Sequence, residues 1–352
     1  MKFILICLVC IIVVLLLVGG TIILWNEAGR FRPDKVGNTE LIAGSGSQPG
    51  SFPVRFSIIT WNLGYAGLGS EMDFFYEGGQ MVRPGRELFS KYYEGIRHEI
   101  NSFEPPEIFL FQEIDRGSKR SYHTDMVQDL SDWITGYTVH FTTNYRSSFV
   151  PVPWNEPMGR VWSGMVTASK VTPDEALRIS TPGSHSWPKS LFTLQRCLLI
   201  TRYNLEHGGQ LVVVHLHLSA FEDESELREA EIEMLKGILL DEFGKGNFVI
   251  AGGDWNQNPP DWNPGEECKY NVKTQWRLPD GFPDKEWHIV YDPALPTNRS
   301  VAAPFDSALS ETTLLDYFVI SPNIRVDSIQ TIDLGFRYSD HLPVYMAVSL
   351  ER

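Results

Sequence analysis

At five places along the chain a polar, acidic or imidazole side chain sits directly at the end of an apolar run: Asn62, Glu113, Asp254 with Asn256, Asp316, and Asp340 with His341. No other feature constrains the fold as tightly. In an open α/β architecture the strand ends on one edge gather into a single crevice, so polar groups placed there converge despite wide sequence separation. The runs themselves read as strands over Phe56 to Trp61, Ile108 to Gln112, Gly164 to Ala168, Leu198 to Tyr203, Leu211 to Leu216, Phe248 to Ala251, Tyr317 to Ser321 and Val344 to Val348. Between them, one helical pattern sets Phe89, Tyr92, Ile96, Ile100 and Phe103 on one face. Another sets Leu227, Ala230, Met234 and Ile238 together, with Gly244 placed to end it. The chain is therefore expected to be α/β with many strands.

The amino-terminal segment is of a different kind. From Phe3 to Trp25 only Gly19, Gly20 and Thr21 interrupt an apolar run, which at about 1.5 Å per residue spans the ~30 Å hydrocarbon core of a bilayer. Residues 1–26 read as a transmembrane anchor. The alternative is a cleaved signal peptide, with Lys2 as its charged start and Val18-Gly19-Gly20 as its cleavage site, but Ile22, Ile23 and Leu24 continue the run past that cut. Lys2 flanks the run on one side and Arg30, Arg32 and Lys35 on the other. The reading adopted places the large domain outside the cytoplasm, or secreted if the segment is cleaved. Residues 27–53, rich in Gly, Ser and Pro, read as a flexible linker. Residues 54–352 carry the fold, and by length they fill either two domains or one large α/β sandwich.

Composition excludes some functions. With 43% apolar and 12% aromatic residues the chain is not disordered. Its formal charge of -14, from 30 basic and 44 acidic residues, opposes tight, non-specific coating of nucleic acid, where affinity comes from Lys and Arg releasing counterions. Cys7 and Cys10 lie inside the apolar run, and Cys197 and Cys268 form no disulfide framework or zinc pattern.

The strand-end residues suggest specific chemistry. An amide oxygen at Asn62 suits a ligand of a hard cation such as Mg²⁺, and Glu113, after four apolar residues, is a carboxylate that must be paired or metal-bound if buried. Asp254 and Asn256, two apart, point the same way from an extended backbone. One can handle a proton while the other donates to an oxyanion, and Gly252 and Gly253 would allow a ligand to approach the backbone. In Val212-Val213-Val214-His215-Leu216-His217 both histidines fall on one face; a zinc pair lacks a third ligand of suitable spacing, which leaves His217 as the catalytic or phosphate-binding residue and His215 as structural. Asp316 can hold the tautomer of His341 while Asp340 binds metal.

Taken in order, Thr60-Trp61-Asn62, Phe111-Gln112-Glu113, Leu216-His217-Leu218, Gly253-Asp254-Trp255-Asn256, Leu315-Asp316-Tyr317-Phe318 and Ser339-Asp340-His341 resemble the motifs of the endonuclease/exonuclease/phosphatase superfamily, from about Phe56 to Leu350. The resemblance implies a four-layer sandwich, two packed mixed β-sheets flanked by helices, in one domain. It implies Mg²⁺, with Mn²⁺ as a substitute, held by Asn62, Glu113 and Asp340. Asp254 and Asn256 would then handle the water and the phosphoryl oxygen, Asp316 would support His341, and His217 would meet the phosphate. Arg160, Lys189 and Arg196, in or near the aromatic loops Phe149 to Trp154 and Ser184 to Pro188, are candidates for holding the rest of the substrate. The expected activity is a membrane-anchored phosphoesterase that cleaves a phosphodiester or phosphomonoester by in-line attack of water. A secreted or surface nuclease and a catalytically silent binding module are the alternatives. The expected partners are the membrane and a phosphate-ester substrate (phospholipid, small phosphoester or nucleic acid); no protein partner follows.

Overall fold

The computed structural model describes residues 2–42, 50–206, 208–220, 225–264, 271–272 and 276–351. In chain order the strands begin with β1 (Val36–Asn38), β2 (Glu40–Ile42), β3 (Arg55–Asn62), β4 (Ile108–Asp115), β5 (Thr138–Val150), β6 (Gly159–Ser169), β7 (Glu175–Ser180), β8 (Cys197–Asn204) and β9 (Gln210–His217). They continue with β10 (Phe248–Asp254), β11 (Asn271–Val272), β12 (His288–Val290), β13 (Asn298–Arg299), β14 (Glu311–Thr313), β15 (Asp316–Ile320), β16 (Ile324–Thr331) and β17 (Val344–Leu350). The α-helices are α1 (Lys2–Ala28), α2 (Arg86–Ser102), α3 (Met126–Trp133) and α4 (Ser225–Gly244).

Two seven-stranded sheets, in the orders β1-β7-β8-β9-β10-β15-β12 and β16-β17-β3-β4-β6-β5-β2, pack face to face. Both are mixed: β3 and β4 are parallel, as are β9 and β10, and their other neighbours are antiparallel. Between the sheets lie Ile58, Leu110, Val213, Ile250, Phe318 and Met346. Strands buried on both faces read as continuous apolar runs, which is why the sequence disclosed them. The apolar stripe of α2 (Phe89, Tyr92, Ile96, Ile100) covers the outer face of one sheet together with α3, and Ile232, Leu235 and Leu239 of α4 cover the other. The architecture is the expected four-layer sandwich.

Three readings change. The inward line of α4 runs through Arg228, Ile232, Leu235 and Leu239, and Glu231 and Glu242 are buried with it. The face read from Leu227, Ala230, Met234 and Ile238 is its half-buried flank. Charge concealed the true face, because these acids have partners: Glu231 accepts from Ser219, and Glu242 from Arg202 and Asn247. Gly252 and Gly253 serve the packing of β10: a Cβ on Gly253 would meet the Leu216 carbonyl oxygen at 2.0 Å, and one on Gly252 the Phe318 ring at 2.4 Å. Finally, the segment 27–53 is not a free tether throughout. Helix α1 extends to Ala28, β1 and β2 lie within the segment, and Phe52 is buried in the core between the sheets. Most of the Gly-Ser-rich stretch, residues 43–49, lies outside the described residues.

Candidate active site

Register builds the site. In one sheet, Asp254 at the end of β10 is paired across to His217 at the end of β9 and to Asp316 at the start of β15, so the three stand in a row. In the other, Asn62 at the end of β3 is level with Gln112 of β4. A shift in the β4–β6 register between Phe111 and Ile114 places Glu113 in a bulge, with φ 55°. Bulges re-aim side chains, and this one turns the Glu113 carboxylate across the edge of the sandwich. The rows meet through Asn62, whose Nδ2 donates to Asp254 Oδ2 at 3.1 Å and to Glu113 Oε1 at 3.4 Å. Its Oδ1 accepts from Gly64 N at 3.0 Å.

The segment before β17 supplies Asp340 and His341. His341 Nδ1 lies 2.7 Å from Asp316 Oδ2 and its Nε2 lies 3.8 Å from Asp254 Oδ2. His217 Nε2 approaches that same Asp254 oxygen at 3.5 Å and Glu113 Oε1 at 3.9 Å. Two imidazoles thus flank one carboxylate oxygen. Asp340 Oδ1 accepts from Ser339 Oγ at 3.3 Å and would sit 2.8 Å from a Cβ on Gly64, whose φ is +49°. A larger residue at 64 would crowd that carboxylate.

Electrostatics follow from burial and mutual repulsion. Burial, with Asp316 alongside and His341 opposing, raises Asp254 to about 7. Burial and the charge of Glu113 raise Asp340 to about 7, again against His341. Burial disfavours a charged His341, but Asp316 and Asp254 hold its proton well above the ordinary imidazole range. Burial, Arg196 and His341 keep His217 well below that range.

The donor set fits a hard cation. Among the described residues no Lys or Arg pairs with Glu113 or Asp340, yet the two repel each other enough to move Asp340. Oxygen ligands of this kind suit Mg²⁺ or Mn²⁺. A second grouping, Asp254, Asp316 and His341, offers three ligand atoms within 4.8 Å of one another.

Of the eight residues assigned to metal and catalysis, seven direct their side chains to this cluster. Asn256 (φ 51°) uses its amide differently: Nδ2 donates to Leu218 O at 2.8 Å, and its backbone N–H holds Asp254 Oδ1 at 3.0 Å. It fixes the neighbouring strand ends. Arg196 is buried and donates to the His217 carbonyl at 3.1 Å, which places it behind the site. Arg160, near the start of β6, and Lys189, in the segment between β7 and β8, are exposed. His215 is fully buried, 2.6 Å from Gln112 Nε2 and 3.1 Å from Thr167 Oγ1, between the sheets.

Several supporting residues escaped the sequence reading. The indole N–H of Trp61 donates to the His341 carbonyl (3.0 Å) and that of Trp255 to the Tyr317 carbonyl (2.9 Å), so each tryptophan beside a site residue latches the backbone of the next. Asn298 lies 3.0 Å from His341 Nε2, and Thr297 Oγ1 accepts from both Leu315 N and Asp316 N. Tyr65 (φ 43°) lies under the Arg120 guanidinium, 3.6 Å from the ring centroid, and Arg120 makes two bonds to buried Asp115. Adjacency to Asn62 and Asp254 was a usable signal for the tryptophans; Asn298 and Tyr65 carried none, since only the register brings them in.

A two-sheet sandwich with acids and imidazoles converging at one edge is a phosphoesterase scaffold. The chain belongs to the Endonuclease/Exonuclease/phosphatase family, whose model matches residues 59–341, and members of that family are hydrolases acting on phosphoester bonds. Among solved structures it is similar in fold to an endonuclease/exonuclease/phosphatase from Beutenbergia cavernae DSM 12333, at 18% identity and TM-score 0.57, covering 84% of this chain and 72% of that one. It is also similar to ANGEL2, a 2',3'-cyclic phosphatase solved with adenosine-2',3'-vanadate, at 14% identity and TM-score 0.55, covering 85% and 96%. The human Nocturnin catalytic domain with bound sulfate matches at 18% identity and TM-score 0.51, covering 84% and 93%. No curated protein sequence matches significantly.

Proposed function

We propose that this chain is a membrane-anchored phosphoesterase, dependent on a divalent cation, that hydrolyses a phosphodiester or phosphomonoester by in-line attack of water. The observation that carries the reading is the convergence of Asn62, Glu113, His217, Asp254, Asp316, Asp340 and His341, from six separate stretches of chain, on one edge of the sandwich. Glu113 and Asp340, with Asn62, would hold Mg²⁺ or Mn²⁺. The bound cation supplies charge neutralisation at the phosphoryl and leaving oxygens. Asp254 orients the attacking water and accepts its proton. Asn62 fixes the Asp254 carboxylate. His217 and His341, aimed at the same place, offer N–H groups to the phosphoryl oxygens as charge develops. Asp316 accepts from Nδ1 and holds His341 as the imidazolium, so that its second N–H, at Nε2, faces the site.

The anchor is supported by α1, a continuous helix of 27 residues with mean hydropathy 3.4 over its most apolar window and none of that window buried. The catalytic domain would then lie outside the cytoplasm, or be secreted after cleavage.

The test uses the full-length chain purified in detergent, with plasmid DNA, RNA, sphingomyelin, phosphoinositides and a chromogenic phosphodiester as substrates, with EDTA and then with Mg²⁺ or Mn²⁺ restored. Cation-dependent hydrolysis of at least one ester supports the reading; turnover of none, or turnover unaffected by EDTA, refutes it. Retention of the chain in the membrane pellet after carbonate extraction tests the anchor.

A further inference from the structure

Helix α1 does not end in a loose joint. Its one buried residue is Asn26, whose amide is saturated: Nδ2 donates to Phe149 O (3.0 Å) and Ile22 O (2.9 Å), and Oδ1 accepts from Ser147 Oγ (2.9 Å) and Phe149 N (3.0 Å). Trp25 stacks on Phe149 with ring centroids 5.7 Å apart. A Cβ on Gly29 would meet Ser148 Oγ at 2.2 Å, so the chain lies directly against β5. The base of the helix is thereby bolted to the carboxyl end of that strand.

Topology then says which edge of the sandwich this is. Strand β6 runs antiparallel to β4, so its first residues lie beside the end of β4, with Asp115 opposite Ser163. Strand β5 runs antiparallel to β6, so its last residues lie there too, with Ser147 opposite Val161 and Val150 opposite Gly159. The loop 151–158 therefore projects from the edge that carries Glu113. In the other sheet β8 is antiparallel to β9, with Leu199 opposite His215. The loop 181–196 therefore leaves the edge that carries His217 and Asp254.

Each loop presents a large aromatic to solvent: Trp154 is 74% exposed and Trp187 60%. The second loop touches the helix base through Arg30 Nη2 and Ser190 Oγ (3.4 Å). Around them, Lys189 is exposed, and so are Arg146 and Arg160, which flank the Trp162 ring at 4.7 and 5.7 Å. Indoles and cationic side chains beside the end of an apolar helix match the headgroup layer, where tryptophan gathers and basic groups meet lipid phosphates.

We propose that the loops 151–158 and 181–196, together with the base of α1, form one membrane-contacting face that holds the active-site edge of both sheets on the headgroup layer. The ester cleaved is then one carried by a lipid of that bilayer. This rests on the anchored phosphoesterase reading and adds an orientation to it, because a helix fused rigidly to the active-site edge cannot let the site turn toward bulk water.

The test reconstitutes the full chain in phosphatidylcholine/phosphatidylglycerol vesicles containing dibrominated phosphatidylcholine, which quenches indoles at bilayer depth. In W154F/W187F the quenchable emission should fall about threefold, since two of the three interfacial indoles are gone and Trp25 remains. N26L, which unbolts the helix, should lose the contribution of Trp154 and Trp187 while staying in the membrane pellet. Quenching in W154F/W187F equal to wild type overturns the proposal. Absence of quenching in all variants, with release by carbonate, instead overturns the anchor. For the substrate, hydrolysis of phosphatidylcholine, sphingomyelin and phosphatidylinositol phosphate in the same vesicles is compared with that of their deacylated headgroup esters. At least about tenfold faster turnover in the bilayer is expected; equal rates, or none on either, overturn the lipid assignment.

Discussion

His215 and His217 lie two apart on one strand and one face, and replacing each with alanine should produce opposite failures. His215 is fully buried and bonded at both ring nitrogens, to Gln112 and Thr167. His215→Ala removes both bonds and leaves the buried Thr167 hydroxyl without its imidazole partner, at about 1–3 kcal/mol, while Gln112 Nε2 keeps Thr60 Oγ1 and Leu110 O; it leaves a cavity besides. A total of roughly 3–5 kcal/mol follows, which in a domain of this size lowers Tm by on the order of 10 °C. Turnover of the protein that remains folded should change little. His217 has no protein hydrogen bond at Nδ1 among the described residues, and its Nε2 stands 3.5 Å from Asp254 and 3.9 Å from Glu113. His217→Ala should therefore cost less than about 1 kcal/mol of stability and about 10²- to 10⁴-fold in kcat. The assay is calorimetry at fixed pH paired with single-turnover rates. A pH series adds an independent check. Burial pushes His215 from 6.5 down to about 3, so between those values the unfolded chain binds a proton that the folded chain refuses. Stability from this site is complete above pH 6.5 and is lost as pH falls toward 3, by up to about 1.4 kcal/mol per pH unit. His215→Gln should flatten that acid limb. If His215→Ala proves the slow enzyme and His217→Ala the unstable one, the assignment of this strand is refuted.

His341→Ala should lower turnover of the folded protein at least about a hundredfold, with a lowered Tm as well because buried Asp316 loses its imidazole partner, and Asp316→Asn should reproduce part of the rate loss; normal rates in both variants would remove the pair from the mechanism. Glu113→Gln keeps shape and removes charge, so titration calorimetry with Mn²⁺ should show affinity falling at least about tenfold while Tm stays near wild type; unchanged affinity would demote Glu113 to a structural role. Trp61→Phe strands the buried His341 carbonyl that the indole holds at 3.0 Å. It should cost about 1–3 kcal/mol and lower kcat more than it raises KM, whereas a variant that loses stability alone would mean that the latch serves only the fold.

The central strands were legible because they are buried on both faces and so carry unbroken apolar runs. The residues at their ends stood out by contrast, and Asn62, Glu113, Asp254 and Asp316 needed no more than that contrast to be noticed. Strand β5, thirteen residues long, was missed entirely, and its last two residues, Phe149 and Val150, were read as part of a loop. Its Thr-Thr-Asn-Tyr-Arg-Ser-Ser stretch lacks any apolar run, and its polar groups are absorbed by neighbours such as Trp162, whose indole N–H reaches Thr143. Glu231 and Glu242 masked the buried face of α4 for a related reason: local charge carries no mark of the partner that neutralises it. Asn26 was read only as the last residue of the anchor segment. Its meaning lies 121 residues away at Ser147, a separation that no local pattern encodes.

The seven residues from Val36 to Ile42 first add the edge strand β1 to one sheet and then, after Thr39, the edge strand β2 to the other. Thr39 itself bridges the two, its backbone N–H on Ala176 O and its hydroxyl 2.8 Å from His140 Nδ1. The consequence is mechanical. Tension applied through α1 is met first by the four bonds of Asn26 and then divided between both halves of the sandwich, so neither sheet can be peeled away at this end without its counterpart. The leader strip also blunts one open margin of each sheet, where exposed N–H and C=O groups would otherwise invite a neighbouring chain to pair.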